Sequence, residues 1–260
     1  MDTLVSTSSI ICMFISAALS ILLPIGAVVY LAVKKKLSLK STLWGVLLFV
    51  VFAFGLEQLL HLLVLGTSGT SYVATHPYIY ALYGGLAAGV FEETARLIGF
   101  KWLIRVKEDE SAYTGISYGL GHGGIEAISL GGVAMISSLI ISFTVNAGTA
   151  PAAQARIANQ LIAAQPYMFL IPGVERVFAM IIQIALSLIV LKAVISKKWW
   201  LFALAIFLHA FVDFPAALYQ WGILPNILLI ELFVALIAAL YVFIAYKVFT
   251  GGRKSSPDIA

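Results

Sequence analysis

Residues Ser8–Val33 read SSIICMFISAALSILLPIGAVVYLAV, without one Asp, Glu, Lys, Arg or His, and Lys34, Lys35 and Lys36 follow at once. A helix needs about 20 mostly apolar residues to cross the roughly 30 Å hydrocarbon core of a bilayer. A basic cluster at one end of such a run marks the boundary with a cytoplasmic loop. The run does not read as a cleaved signal peptide. Its first charge is Asp2, no basic region precedes it, and it is longer than the apolar stretch of such signals.

Six more stretches of this kind follow, at Thr42–Leu65, Tyr78–Ile104, Ala112–Val145, Tyr167–Ile195, Trp199–Tyr219 and Ile223–Val248. None alternates apolar and polar residues as barrel strands do. The expected fold is therefore all-α: a polytopic integral membrane helical bundle of about seven transmembrane helices. It forms a single transmembrane domain over 1–260 with its core at about 78–219. The fourth stretch is long enough to kink or break near Gly131 and Gly132. Composition agrees, since 62% of the chain is hydrophobic and 11% charged, against about 25% charged in soluble domains.

Charge alternates from loop to loop. Lys34, Lys35, Lys36 and Lys40 follow the first stretch, Lys101, Arg105 and Lys107 the third, Lys192, Lys197 and Lys198 the fifth, and Lys247, Arg253 and Lys254 the last. The intervening loops hold only Arg156. The expected orientation places the N-terminus outside and the C-terminus in the cytoplasm, in a multi-pass cell-membrane protein. Trp199, Trp200 and Trp221 fall at the boundaries. The net charge of +4 is accounted for by these loops, and no basic face tracks phosphates, which excludes nucleic acid as a partner. Cys12 is the lone cysteine, so no intrachain disulfide exists. The Ala- and Gln-rich loop from Asn146 to Pro166 is expected to form a surface helix.

Ionisable groups inside hydrocarbon are costly and mark functional sites by default. Here they are Glu57 and His61; Glu92, Glu93 and Arg96; His122 and Glu126; Glu175 and Arg176; His209 and Asp213; and Glu231. At 1.5 Å per residue, His122 and His209 lie about 15 Å into their helices, and Glu92 and Glu93 about 18–20 Å from the basic end of theirs. Three helices thus bring acids and imidazoles to one level. His122 and Glu126 are spaced i, i+4, as are His209 and Asp213, so each pair shares a face. Glu92 and Arg96 share a face and are expected to pair. Glu93 points about 100° away, so the two carboxylates are expected to have different partners. Gly85 and Gly89 on the third span, and Gly115, Gly119 and Gly123 on the fourth, form small-residue stripes expected to pack these two helices against each other.

Histidines with carboxylates are zinc donors, and a metal-bound water with a nearby glutamate base is a hydrolytic centre. The stretches Phe91-Glu92-Glu93-Thr94-Ala95-Arg96, Gly121-His122-Gly123-Gly124-Ile125-Glu126-Ala127 and His209-Ala210-Phe211-Val212-Asp213-Phe214 resemble those of the YhfC family of intramembrane metalloproteases. More broadly they are similar to the CAAX-protease and bacteriocin-processing (CPBP) and PrsW-like superfamily. Those proteins share a double glutamate followed by Arg or Lys, a histidine on the next core helix, and a late His-x-x-x-Asn/Asp. The resemblance implies that Glu92 or Glu93 activates water and that Arg96 holds the double glutamate. It further implies that His122 and His209 bind metal or stabilise the oxyanion, and that Asp213 completes the third motif. Glu126 joins the metal set through its spacing from His122. Two residues, rather than three, separate Glu93 from Arg96, and the second motif is Gly-His-Gly-Gly; both favour the YhfC branch over CAAX-type substrates.

The expectation is a glutamate- and zinc-dependent intramembrane endopeptidase. Glu92, Glu93, Arg96 and Asp213 are catalytic, and His122, Glu126 and His209 hold Zn2+. Its partners are the lipid bilayer and a membrane protein or peptide substrate. The alternatives are a proton- or cation-coupled transporter, disfavoured by the absence of a repeat, and a catalytically silent scaffold. Blander roles are expected elsewhere. Glu57 and His61 support the site, Glu175 and Arg176 form an interhelical ion pair, Glu231 is a satisfied buried acid, and His76 is solvated. Gly115-Ile-Ser117-Tyr-Gly119 mimics a nucleophile elbow, but it opens a membrane helix rather than a strand-to-helix turn.

Overall fold

A cap and a short turn delimit most of the apolar runs. In the computed structural model, which describes residues 4–66, 68–106, 108 and 110–251, Ser6 Oγ accepts the amide of Ser9 at 3.0 Å at the start of α1, Thr7–Val33. Ser38 does the same for α2, Leu39–Leu65. The others are α3, Pro77–Arg105, with proline at its first position; α4, Ala112–Asn146; α5, Ile171–Ser196; α6, Trp199–Gln220; and α7, Ile227–Thr250, capped by Asn226. Asp2, Lys107, Arg253 and Lys254 lie outside the described residues. A short helix, Ala155–Ala163, occupies the Ala- and Gln-rich loop, with Ala158 and Leu161 buried.

Six of these helices are long and apolar enough to cross a membrane: all but α3. The 29 residues of α3 span about 44 Å, but Glu92, Glu93 and Arg96 lie in its second half. It packs among α2, α5 and α6, and α4, α5 and α6 supply partners for those groups. Leu22, Leu63, Phe207 and Leu236 point outward and are more than half exposed. Apolar surface on this scale is untenable in water and is what a lipid-facing bundle requires. The chain is thus a polytopic helical membrane protein. α5 is its central helix, with Leu186, Ile189, Val190, Leu191 and Ala193 wholly buried.

Of the kink or break expected near Gly131 and Gly132, the break does not occur. α4 continues through a π-helical segment, Ala127–Gly132, of the kind often found at functional sites. The two glycines instead let α1 approach: a Cβ on Gly132 would lie 2.6 Å from Ile21 Cγ1. A second π segment, Val50–Glu57, lies in α2.

The glycine stripes also pack differently from expectation. Gly85 and Gly89 face α6, where an added Cβ would come within 2.7 Å of the Ala210 carbonyl oxygen and 2.8 Å of that of Ile206. Gly115, Gly119 and Gly123 face α5 at Leu188, Ile184 and Gln183. α3 and α4 do not pack on each other through these stripes; each is drawn against a different neighbour. Consequently His209 is brought to α3 and Gln183 to α4.

At one end of the bundle the basic residues gather. Lys36 lies 4.9 Å over the Tyr113 ring, Lys101 4.9 Å over Trp199, and Lys40 3.6 Å from Glu108. The ends of α1, α3, α5 and α7 and the starts of α2, α4 and α6 meet there. Trp221 packs on Tyr80 at the opposite end.

Candidate active site

Glu92, Glu93 and Arg96 occupy the second half of α3, all buried, with Glu93 and Arg96 wholly so. An arginine without water needs its donors filled by acceptors, or it costs several kcal/mol. Arg96 Nη1 donates to Glu93 Oε1 at 2.5 Å, Nε to Ser187 Oγ at 3.2 Å, and Nη2 to Gln183 Oε1. Its Nη2 is 3.8 Å from Glu92 Oε2. The expected Glu92–Arg96 pair is therefore the looser contact. Arg96 belongs first to Glu93, one turn back on the same helix.

The two carboxylates do take different partners. Glu92 Oε2 lies 2.8 Å from His122 Nε2 on α4. Glu93 Oε1 lies 2.7 Å from His209 Nδ1 on α6. A carboxylate held by an arginine only accepts, so His209 Nδ1 carries the hydrogen and its Nε2 turns to the other side. That Nε2 is 3.5 Å from Asp213 Oδ2 and 3.7 Å from Glu92 Oε2. Glu126 follows His122 by one turn and reaches α5, where Arg176 Nη1 donates to its Oε1 at 2.8 Å. Arg176 also pairs with Glu175.

Gln183, which sequence reasoning passed over, joins these groups. Its Nε2 donates to Glu126 Oε2 at 2.6 Å and to Glu92 Oε2 at 3.3 Å, while its Oε1 accepts from Arg96. The signal was available: a lone amide in the stretch Met180–Leu191 has no water to satisfy it and must find buried partners.

His209, Asp213, Gln183, Glu126 and Arg176 line a cavity of about 70 Å³, several times the roughly 10–15 Å³ needed by one water. Donor atoms of Glu92, His122 and Glu126 lie within 4.8 Å of one another. One imidazole and two carboxylates form a donor set that zinc accepts, and His122 Nδ1 and Glu93 Oε2 have no hydrogen-bond partner among the described residues. In the connected polar group, five carboxylates (Glu92, Glu93, Glu126, Glu175, Asp213) meet two guanidinium groups (Arg96, Arg176), an imbalance that a cation relieves. These residues fit a divalent metal. His209, expected among the ligands, borders this donor group, with Nδ1 on Glu93 and Nε2 3.7 Å from Glu92 Oε2.

The remaining polar residues have other partners. Glu57 Oε1 is 3.3 Å from His61 Nε2, and His61 Nδ1 is 2.8 Å from the Tyr83 hydroxyl. Ser117 Oγ accepts the Ser38 amide at 3.0 Å, so the apparent nucleophile elbow ties α4 to the start of α2. Glu231 is not the satisfied acid expected, since its Oε2 is buried without a partner among the described residues. His76 lies exposed and bonds the Tyr72 carbonyl.

A family model described as YhfC intramembrane metalloprotease matches residues 19–234. A relative from Bacillus subtilis (strain 168), described as uncharacterized membrane protein YhfC, is 37% identical over 250 residues, which is 92% of this chain and 96% of the relative. No solved structure matches.

Proposed function

This chain belongs to the YhfC family, and from that premise we propose that it is an intramembrane metallopeptidase that hydrolyses a peptide bond of a membrane-embedded or membrane-adjacent substrate. The observation carrying this reading is the convergence of Glu92, His122 and Glu126 at the edge of a polar cavity that also holds His209 and Asp213. Glu92, His122 and Glu126 would hold the metal, with zinc the ion that suits them best. A zinc ion in such a site lowers the pKa of bound water to about 7 and polarises a carbonyl.

The protein's own groups handle orientation and protons. Glu93, fixed by Arg96, holds His209 by Nδ1, which leaves Nε2 as the mobile proton site. His209 Nε2, between Glu92 and Asp213, takes a proton from the attacking water and passes it to the leaving nitrogen. Gln183 keeps Glu92 and Glu126 together, so the donor set is preorganised. Substrate reaches the cavity where α5, α6 and α7 line it, and the basic end of the bundle faces the cytoplasm.

Elemental analysis of protein purified without chelators, beside His122→Ala, tests the metal. Near-stoichiometric zinc that is lost in the variant is expected. A comparison of membrane peptides from cells carrying wild type or Glu92→Gln tests the cleavage, and substrates are expected to accumulate in the variant. Metal-free wild type with no accumulating peptide would instead favour the proton-coupled carrier.

A further inference from the structure

A second cavity, far larger and chemically opposite, opens beside the basic end of the bundle. It measures about 580 Å³ between α4, α5 and α7 and is lined by Tyr113, Ile116, Ala185, Leu188, Ala245 and Phe249 among others. None of the active-site residues touches it. It begins at the first turn of α4 and the last turn of α7, and Val242 and Ile184 mark its inner reach. The seven helical steps from Val242 to Phe249 give it a depth of about 10 Å.

Charge is gathered at its mouth. Lys36 Nζ lies 4.9 Å over the ring of Tyr113. Lys192 Nζ donates to the Phe249 carbonyl at 3.2 Å and lies 5.6 Å from that ring. Tyr113 and Phe249 both line the groove, so two ammonium groups sit on its rim aromatics. Bonding to the Tyr113 hydroxyl raises the Lys36 pKa, which keeps it charged. Lys34 and Lys35 belong to the same turn as Lys36, and no carboxylate among the described residues lines the groove.

The volume lies in the range of small-ligand sites, roughly 300–1,000 Å³, and the two ammonium groups on the rim aromatics call for an anionic occupant. We propose that the groove between α4, α5 and α7 holds an acyl chain of an anionic phospholipid whose headgroup is bound by Lys36 and Lys192. Because a lipid tail leaves surroundings as apolar as the groove itself, the walls retain the chain by shape, and the lysines select the charge.

Delipidated protein is reconstituted in vesicles of equal phosphatidylglycerol and phosphatidylcholine, re-extracted in mild detergent, and weighed by native mass spectrometry. One retained phosphatidylglycerol per chain is expected. Lys36→Glu, at an exposed position, should lower the retained anionic lipid at least about fivefold. Ile116→Trp, which fills the groove, should abolish retention of either lipid. Lys101→Glu, at the same end but on Trp199, should leave retention unchanged. Equal retention of both lipids, no retention, or retention untouched by Lys36→Glu and Ile116→Trp would overturn the proposal, as would a dimer or bound peptide displaced by Ile116→Trp.

Discussion

Arg96 and Gln183 show how few residues organise the site, and both make sharp predictions. Arg96 is buried, with Glu93, Gln183 and Ser187 on its donors. Arg96→Met removes the cation and leaves Glu93 a buried carboxylate without its counter-charge, a change that costs about 3–5 kcal/mol in buried pairs. A marked fall in detergent-solubilised thermal stability is expected. Gln183→Leu keeps the volume but removes the amide between Glu92 and Glu126. A loss of about 10- to 100-fold in zinc affinity is expected, measured by competition with a fluorescent chelator, with a fall in melting temperature because Arg96 Nη2 loses its acceptor. Glu93→Gln should separate the two glutamates: zinc content is retained, because Glu93 is not in the donor group, while substrate accumulates because His209 is no longer held. Loss of zinc in Glu93→Gln would instead place Glu93 among the ligands.

The elements are positioned by close backbone contact and by helical phase. Gly45 and Gly121 pack α2 and α4 so closely that a side chain on either meets backbone of the other helix, whereas a Cβ on Gly26 meets nothing within 4 Å. Gly121→Ala is expected to cost about 1–3 kcal/mol by overpacking, and Gly26→Ala to be neutral or stabilising by up to about 1 kcal/mol through helix propensity. The same thermal-melt series measures both. Helical phase is set in two places by π segments, one ending at Glu57 and one beginning just after Glu126. Residue spacing alone reveals neither. A π turn forms where tertiary packing is better served by one extra residue per turn, and each residue added or removed rotates the remainder of the helix by about 100°. This is also why the i, i+4 spacing correctly set His122 and Glu126 on one face, since the π segment starts only after them.

For the molecule as a whole, the alternation of basic loops predicts sidedness. In a Cys12→Ser background, Ser68→Cys should react with a membrane-impermeant maleimide in intact cells, and Lys35→Cys only after lysis. The reverse pattern would invert the bundle. Composition, run length and loop charge were sufficient to establish a polytopic helical membrane protein, because the cost of burying polar groups in lipid acts on every residue and is legible one residue at a time. The ionisable residues of the site were legible for the same reason: Glu92, Glu93, Arg96, His122, Glu126, His209 and Asp213 all stand out against apolar runs. Which of them touch was decided only by the tertiary structure. Glu93 rather than Glu92 claims Arg96, Glu92 joins His122 and Glu126, and His209 bonds Glu93, because α6 packs on the glycines of α3 and α5 on those of α4. Such choices depend on which helix faces meet, and the spacing of residues along one helix says nothing about the face of another.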